Sequence, residues 1–127
     1  FLDKIVDDAT TNTFTETLYG RKRYIKELAS SNFQLKAMGK RIAMNAPIQG
    51  TASDIMKIAM IKLNKEIQKI KSTDLLLQIH DEIIIQTPKE SANKVSKIVK
   101  NEMEGASKLK VPLFVDIKEN INLSNLN

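Results

Sequence analysis

The sequence has 127 residues, with 20 lysines and arginines against 15 aspartates and glutamates, and its net charge of +5 is a mild indication of a polyanionic partner. It contains no cysteine, which excludes disulfides and thiolate metal sites and fits a reducing, intracellular setting. Its single histidine excludes zinc hydrolases and His-Asp phosphohydrolases, which need several histidine or cysteine ligands, and no apolar run is long enough to span a membrane.

The first part of the chain predicts a helix, a hairpin and a second helix. Apolar residues at helical spacing predict a helix that ends near Thr11. The segment FTETLYGRKRYI predicts a short hairpin around Gly20. The segment SSNFQLKAMGKRIAMNAP begins with residues that cap helices and predicts a helix that Pro47 ends.

The chain after Pro47 predicts a long helix, a strand pair, another helix and a last strand. The long helix follows from an apolar stripe with a period of 3.6 residues: Ala52, Ile55, Met56, Ala59, Leu63, Ile67 and Ile70. The segment TPKE predicts a capping box, in which Thr87 caps a helix, Pro88 takes its first position and Glu90 stands three residues after the cap. Alternating apolar residues predict a strand over residues 113–117, and we expect the Asn-rich tail to fray.

This order of elements favours an α+β fold: a small, largely antiparallel sheet with a central hairpin, and helices packed on one face. The length fits one domain at most. Because the chain opens on Phe1 rather than methionine, we expect it to be a piece of a longer polypeptide. The central hairpin comes from LLLQIHDEIII, Leu75 to Ile85, which predicts two buried strands with three titratable residues at the tip.

Those tip residues, His80, Asp81 and Glu82, allow two interpretations. A plain turn explains their polarity, because aspartate tolerates turn conformations and bonds its own backbone, although such turns usually recruit glycine or asparagine. The alternative is a divalent-metal site, since Mg²⁺ takes carboxylate oxygens. Successive strand residues point to opposite faces, so we expect one strong ligand here. Two-metal chemistry would then need a further carboxylate from outside the chain.

A second group of polar residues, Arg41, Asn45 and Gln49, is spaced to share one helix face, although Pro47 is expected to bend Gln49 away. These side chains carry the donors and acceptors that suit the minor-groove edge of a duplex. The range 21–41 also holds seven basic residues against one acid, which suits phosphate contact. The plain alternative is an exposed, solvated helix face.

Three segments in this order, TETLYGRKRYI, KRIAMNAPIQGTASDIMKIAM and LLLQIHDEIII, resemble the C-terminal part of family A DNA polymerases, the bacterial DNA polymerase I type. The resemblance runs from about Thr15 to Asp116. Serine in place of Glu82 would have suggested single-subunit RNA polymerases, so Glu82 favours DNA synthesis. The resemblance implies a single partial domain, with distal fingers over about 1–48 and palm over about 49–127.

The resemblance also implies roles at the hairpin. Asp81 would be one of two metal-binding aspartates of the palm, Glu82 a nearby carboxylate, and His80 a contact to the primer end. The implied reaction is attack of a primer 3′-hydroxyl on the α-phosphate of a deoxynucleoside triphosphate, assisted by two Mg²⁺ ions. The aspartate that completes the site would lie outside this chain.

The implied partners are primer-template DNA and deoxynucleoside triphosphates. Arg41, Asn45 and Gln49 would read the minor groove, and Arg21 and Arg23 would lie near the template. The resemblance further implies a monomer that acts in the bacterial cytoplasm at the nucleoid, with no membrane partner.

Parts of the family pattern are missing from the sequence. The first acidic motif, the nucleotide-binding helix, the thumb and any exonuclease domain are absent, and KENINLSNLN lacks the glycine and tryptophan common near the family's C-terminus. We therefore expect the isolated chain to be inactive. Two alternatives stay open: a non-catalytic nucleic-acid-binding module of the same fold, and a structural α+β domain in which the hairpin tip is only a turn.

Overall fold

A computed structural model describes residues 2–122, so the end of the predicted frayed tail, residues 123–127, lies outside the described part. The elements in chain order are α1 (Leu2–Asn12), β1 (Phe14–Glu16), β2 (Lys22–Tyr24), α2 (Phe33–Ile67), β3 (Asp74–Ile79), β4 (Glu82–Gln86) and α3 (Ala92–Glu104). The α+β class is confirmed. Instead of one sheet, however, the described residues form two separate antiparallel pairs, β1–β2 and β3–β4. The chain divides into two compact units, with the boundary between Asp54 and Ile55.

In the first unit, the predicted first helix and hairpin are confirmed. The hairpin turn places Gly20 at φ 77°, a conformation that glycine adopts without the steric cost of a Cβ. The Gly20 N–H donates to the Thr17 carbonyl at 3.0 Å and closes the turn. A small core joins these elements to α2 through buried Ala9, Ile25, Leu28 and Ala43.

The long helix α2 does not end at Pro47, and the prediction that it would was wrong. Proline there removes one backbone hydrogen bond and crowds the carbonyl four residues earlier. Contacts on both sides of the proline nevertheless stabilise the helix. Ala43 and Ala46 are buried before it, and beyond it the Leu18 N–H donates to Thr51 Oγ1 at 2.9 Å. Tertiary contacts therefore override a strong local stop signal.

The second unit has its core where the apolar stripe predicts it. Ala59, Leu63 and Ile67 on α2 are buried, as is Val95 on α3. The predicted stripe continues to Ile70, whereas the helix ends at Ile67. The helical period therefore identified the buried face from Ala59 to Ile67, whereas Ala52, at the start of the predicted stripe, is exposed.

The predicted capping box at the start of α3 is wrong. Pro88 precedes a short 3-10 turn, Lys89–Ser91, and no side chain caps that turn or α3. The Thr87 hydroxyl instead pairs with the Thr73 hydroxyl at 2.9 Å. A tertiary hydrogen bond thus takes the oxygen that a local cap would have used.

Two predictions about strands are also wrong. Residues 113–117 form no strand, because an extended segment becomes a strand only against a partner; the Val115 N–H donates instead to Glu104 Oε1 at 3.0 Å. The β3–β4 hairpin is formed as predicted, but its strands are not buried: Leu76 and Ile79 are 45% and 47% exposed. A lone two-stranded ribbon leaves much of its apolar surface open.

Candidate functional site

The β3–β4 hairpin presents His80 and Asp81 as the two residues of its tip. Ile79 pairs with Glu82 across the strands, so the turn between them has two residues, as the sequence predicted. His80 has φ 53°, a left-handed conformation in which histidine is uncommon but enriched relative to most residues. Its carbonyl accepts a hydrogen bond from Gln78 Nε2 at 2.7 Å. The side chains of this tip are therefore carried on a turn with a defined backbone.

A register shift between Leu75 and Leu77 makes a bulge in β3. A bulge bends its strand and increases the local twist, and such features often re-aim side chains. Beyond it, the pairing from Leu77 with Ile84 to Ile79 with Glu82 is regular. The tip is thus supported by an uninterrupted ladder, although much of that ladder is open to solvent.

The tip offers oxygen donors without completing a metal site. Asp81 and Glu82 are both exposed, and two carboxylates are the kind of ligand that Mg²⁺ takes alongside substrate phosphates and water. Over residues 2–122, no group of three or more histidine, aspartate or glutamate side chains could hold a metal ion. The donor set therefore suits part of a magnesium site.

In the first unit, Arg41, Asn45 and Gln49 line one cavity of about 260 Å³ on α2. The expectation that Pro47 would bend Gln49 away is wrong, since α2 continues and the three residues keep their helical spacing. Arg23, from the neighbouring β2, lines the same cavity. The structure thus brings four of the sequence-predicted nucleic-acid residues to one concave surface.

A second cavity of about 190 Å³ lies beside the first and shares Arg23, Ala46 and Gln49 with it. It is also lined by Thr15 of β1, whose hydroxyl is buried and has no hydrogen-bond partner within residues 2–122. We call the two cavities together the α2 groove. Its walls are one face of α2 and the β1–β2 hairpin.

Sequence reasoning missed a cluster formed by Thr17, Arg21 and Asp54, which we call the clasp. Asp54 has a side chain only 11% exposed. Its Oδ2 accepts a hydrogen bond from Thr17 Oγ1 at 2.7 Å, and its Oδ1 accepts one from Arg21 Nε at 2.8 Å. Arg21 Nη2 also donates to the Gly50 carbonyl at 3.1 Å. The polar Asp54 inside an apolar helix was the signal that could have indicated this buried pairing.

The two predicted template residues of the hairpin therefore differ. Arg21 is tied to α2 by the clasp, but its side chain is still 50% exposed and lines the second cavity, whereas Arg23 is exposed and lines both cavities. The Nζ of Lys22, which stands between them, lies 4.2 Å from the centre of the Phe14 ring and 3.5 Å from Glu16 Oε1. Of these three cations, Arg23 is therefore the one shared by both cavities of the α2 groove.

The described residues contain no helix long and apolar enough to cross a membrane.

Comparison with known proteins identifies relatives along almost the entire chain. The family model for DNA polymerase family A matches residues 1–124. DNA polymerase I of Caldicellulosiruptor bescii is 51% identical over 126 residues, which are 96% of this chain and 14% of that protein. DNA polymerase I of Streptococcus pneumoniae is 42% identical over 120 residues, 94% of this chain and 14% of that protein.

A solved structure gives the same result. The POL domain of Pol1 from M. smegmatis, in complex with DNA primer-template and dNTP, superposes with a TM-score of 0.84 at 39% identity, over 88% of this chain and 20% of that one. The chain thus spans about a seventh of the length of the two DNA polymerase I relatives. The match of the family model along the chain and the identity to these relatives show that the chain belongs to DNA polymerase family A.

Proposed function

We propose that this chain is the distal fingers and palm segment of a DNA polymerase that extends a primer on a template. The observation that carries the proposal is the single concave surface formed by Arg41, Asn45 and Gln49 of α2 with Arg23 of the hairpin. Guanidinium and amide groups on one face can bond the acceptors along the minor groove and the phosphates beside it. The likeness to a POL domain solved with primer-template and dNTP supports the same partners.

The hairpin tip would supply part of the catalytic centre. Asp81 would hold Mg²⁺, with Glu82 as a nearby carboxylate and His80 as a contact to the primer end. When bound, the two metal ions would activate the primer hydroxyl and stabilise the charge on the leaving pyrophosphate. Because the tip offers two carboxylates, a further aspartate from elsewhere in the polymerase would complete the site. The role of this chain is to present oxygen ligands on a fixed turn.

The exposed apolar surface supports the proposal that the chain is one part of a larger fold. Leu76 and Ile79 of the hairpin are nearly half exposed, and Phe114 is 85% exposed. Burial of a side chain of this size stabilises a protein by about 1.5–3 kcal/mol, so such exposure indicates a surface that the remainder of the polymerase covers. We propose that further strands complete a palm sheet there, with residues 113–117 as one of its strands and helices on one face.

The same proposal assigns about residues 1–48 to the fingers and about 49–127 to the palm of a polymerase that acts as a monomer in the bacterial cytoplasm, at the nucleoid. The isolated chain would show no primer extension with either Mg²⁺ or Mn²⁺, because half of a two-metal site does not lower the barrier to phosphoryl transfer. Template-dependent product from the isolated chain would contradict the proposal that residues outside this chain complete the metal site.

A graft tests the proposed function directly. The matching segment of the Caldicellulosiruptor bescii DNA polymerase I would be replaced by this chain, and primer extension would be measured with Mg²⁺. We expect template-dependent extension, and Arg41→Ala in the graft should raise the Kd for primer-template DNA about tenfold, as the loss of one specific contact does. Lys57→Ala, on an exposed position of α2 outside the groove, is the matched control and should change the Kd by less than about twofold.

Two results of the graft would count against the proposal. A folded graft that binds primer-template DNA without extending it would support the non-catalytic module instead. A folded graft that neither binds nor extends would contradict the assignment of the α2 groove to DNA.

A further inference from the structure

The clasp of Thr17, Arg21 and Asp54 determines the position of one wall of the α2 groove, the β1–β2 hairpin. Arg23 contributes from β2 and Gln49 from α2, and both line the two cavities. The hairpin that carries Arg23 is bonded to α2 through the turn before β2, by the Thr17 hydroxyl and the Arg21 guanidinium. The separation of Arg23 from Gln49 therefore depends on hydrogen bonds made by Thr17 and Arg21, which themselves line only the second cavity.

The clasp grips α2 directly beside Gln49. Arg21 bonds the carbonyl of the next residue, Gly50. A Cβ on Gly50 would lie 2.7 Å from Thr17 Cγ2, closer than ordinary van der Waals contact, so the hairpin turn lies directly against the helix backbone. Pro47 has removed one backbone hydrogen bond from this stretch of α2. That missing bond is the one to the Ala43 carbonyl, so the clasp, at Gly50 and Asp54, holds α2 just after it.

The hydrogen bonds of Arg21 distinguish its role from that of the nearby Arg23. Its Nε and Nη2 are committed to Asp54 Oδ1 and the Gly50 carbonyl, which fixes the orientation of the planar guanidinium. A fork that donates two hydrogen bonds at set angles cannot be replaced by the single ammonium of lysine. A loose contact to a DNA phosphate would need only the positive charge.

Resting on the proposed function, we propose that Thr17, Arg21 and Asp54 are positioning residues for DNA binding. They hold the β1–β2 hairpin against α2 so that Arg23 and Gln49 face the same duplex. Arg21, which the sequence assigned to the template, acts through Asp54 and Gly50 rather than on DNA. Loss of the clasp widens the groove and weakens DNA binding without removing any phosphate contact.

The salt dependence of DNA binding separates positioning from contact. Each phosphate contact contributes about 0.9 to the slope of log K against log salt concentration. In the full polymerase that carries this segment, the Kd for primer-template DNA would be measured by fluorescence anisotropy between roughly 50 and 200 mM KCl. Arg21→Ala should raise the Kd about tenfold, the effect of one ordinary hydrogen bond, with an unchanged slope. Arg23→Ala should raise the Kd and lower the slope by about 0.9.

Conservative variants give a second readout. Thr17→Val keeps the shape but removes the donor to Asp54, and should raise the Kd about tenfold; Thr17→Ser keeps the donor and should stay within about twofold of the parent. Arg21→Lys should bind as weakly as Arg21→Ala, whereas Arg23→Lys should keep most of the binding. Hydrogen exchange in residues 14–24 would report the folded fraction of every variant.

Several outcomes overturn the inference. A lowered salt slope for Arg21→Ala would make Arg21 a phosphate contact, and unchanged binding by Thr17→Val would remove the clasp from DNA recognition. If the loss of binding by every clasp variant equals its loss of folded protein, the clasp is structural only. Normal binding by the clasp variants alone excludes only the positioning role of the clasp. If Arg41→Ala and Gln49→Ala also bind DNA normally, the proposed function itself fails.

Discussion

The close approach of Gly50 to Thr17 gives the sharpest prediction about stability. An alanine Cβ at position 50 would lie 2.7 Å from Thr17 Cγ2 and 3.3 Å from Arg21 Nη2. Thr17 cannot rotate away freely, because its hydroxyl is bonded to Asp54 at 2.7 Å. Overpacking of this kind costs about 1–3 kcal/mol, and the better helix propensity of alanine returns about 1 kcal/mol. We expect Gly50→Ala to lower the free energy of local unfolding by about 1 kcal/mol, from these two contributions.

Amide hydrogen exchange measures that change where it occurs. The Leu18 N–H, bonded to Thr51 Oγ1 at 2.9 Å, should exchange about fivefold faster in Gly50→Ala, as a loss of about 1 kcal/mol requires. Thr17→Ser is the matched background, since it removes Cγ2 and keeps the hydroxyl. There, Gly50→Ala should be neutral or stabilising. If Gly50→Ala changes exchange equally in both backgrounds, the contact with Thr17 Cγ2 is not the cause of the destabilisation.

Two further predictions concern the second unit. Leu63 is fully buried, so Leu63→Ala should destabilise the fold by about 2–5 kcal/mol in chemical denaturation. Ile61→Ala, at a site that is 60% exposed, is the control and should change the stability by less than about 0.5 kcal/mol. Equal effects of the two substitutions would contradict the assigned core. At the hairpin tip, His80→Val should speed exchange of the β3–β4 amides, since a β-branched residue is strained by about 1–2 kcal/mol at positive φ. His80→Gly should leave that exchange close to the parent value, and a slower rate in His80→Val than in His80→Gly would contradict the left-handed turn.

Local patterns in the sequence predicted the elements that local interactions determine. The stripe through Ala59, Leu63 and Ile67 gave the buried face of α2, because a helix repeats its surface every 3.6 residues. Gly20 and the two-residue tip at His80 and Asp81 gave both hairpins, since turn geometry depends on adjacent residues.

Predictions failed where distant contacts decide the outcome. The helix continues through Pro47 because the hairpin turn bonds it from more than thirty residues away. Thr87 does not cap a helix, because its hydroxyl pairs with the Thr73 hydroxyl instead. Residues 113–117 have the alternation of a strand but find no partner among residues 2–122. A single sequence does not show which distant groups will be present to bond.

The candidate site divides in the same way. Arg41, Asn45 and Gln49 could be grouped from their spacing, because they share one helix face. Arg21 and Asp54 stand 33 residues apart, and no periodicity joins them. Their pairing follows only from the fold of the hairpin against α2, so the sequence did not predict that Arg21, whose side chain is 50% exposed, also bonds Asp54.

A substitution at Asp81 tests whether the hairpin tip forms part of the catalytic metal site. Asp81→Asn keeps the size of the side chain and removes the charge that would hold Mg²⁺. In single-turnover primer extension by the full polymerase, we expect the rate to fall by about a thousandfold, the loss of several kcal/mol of metal-assisted stabilisation, with the Kd for primer-template DNA within about twofold of the parent. Extension at the parental rate by Asp81→Asn would contradict the claim that this tip forms part of the catalytic metal site.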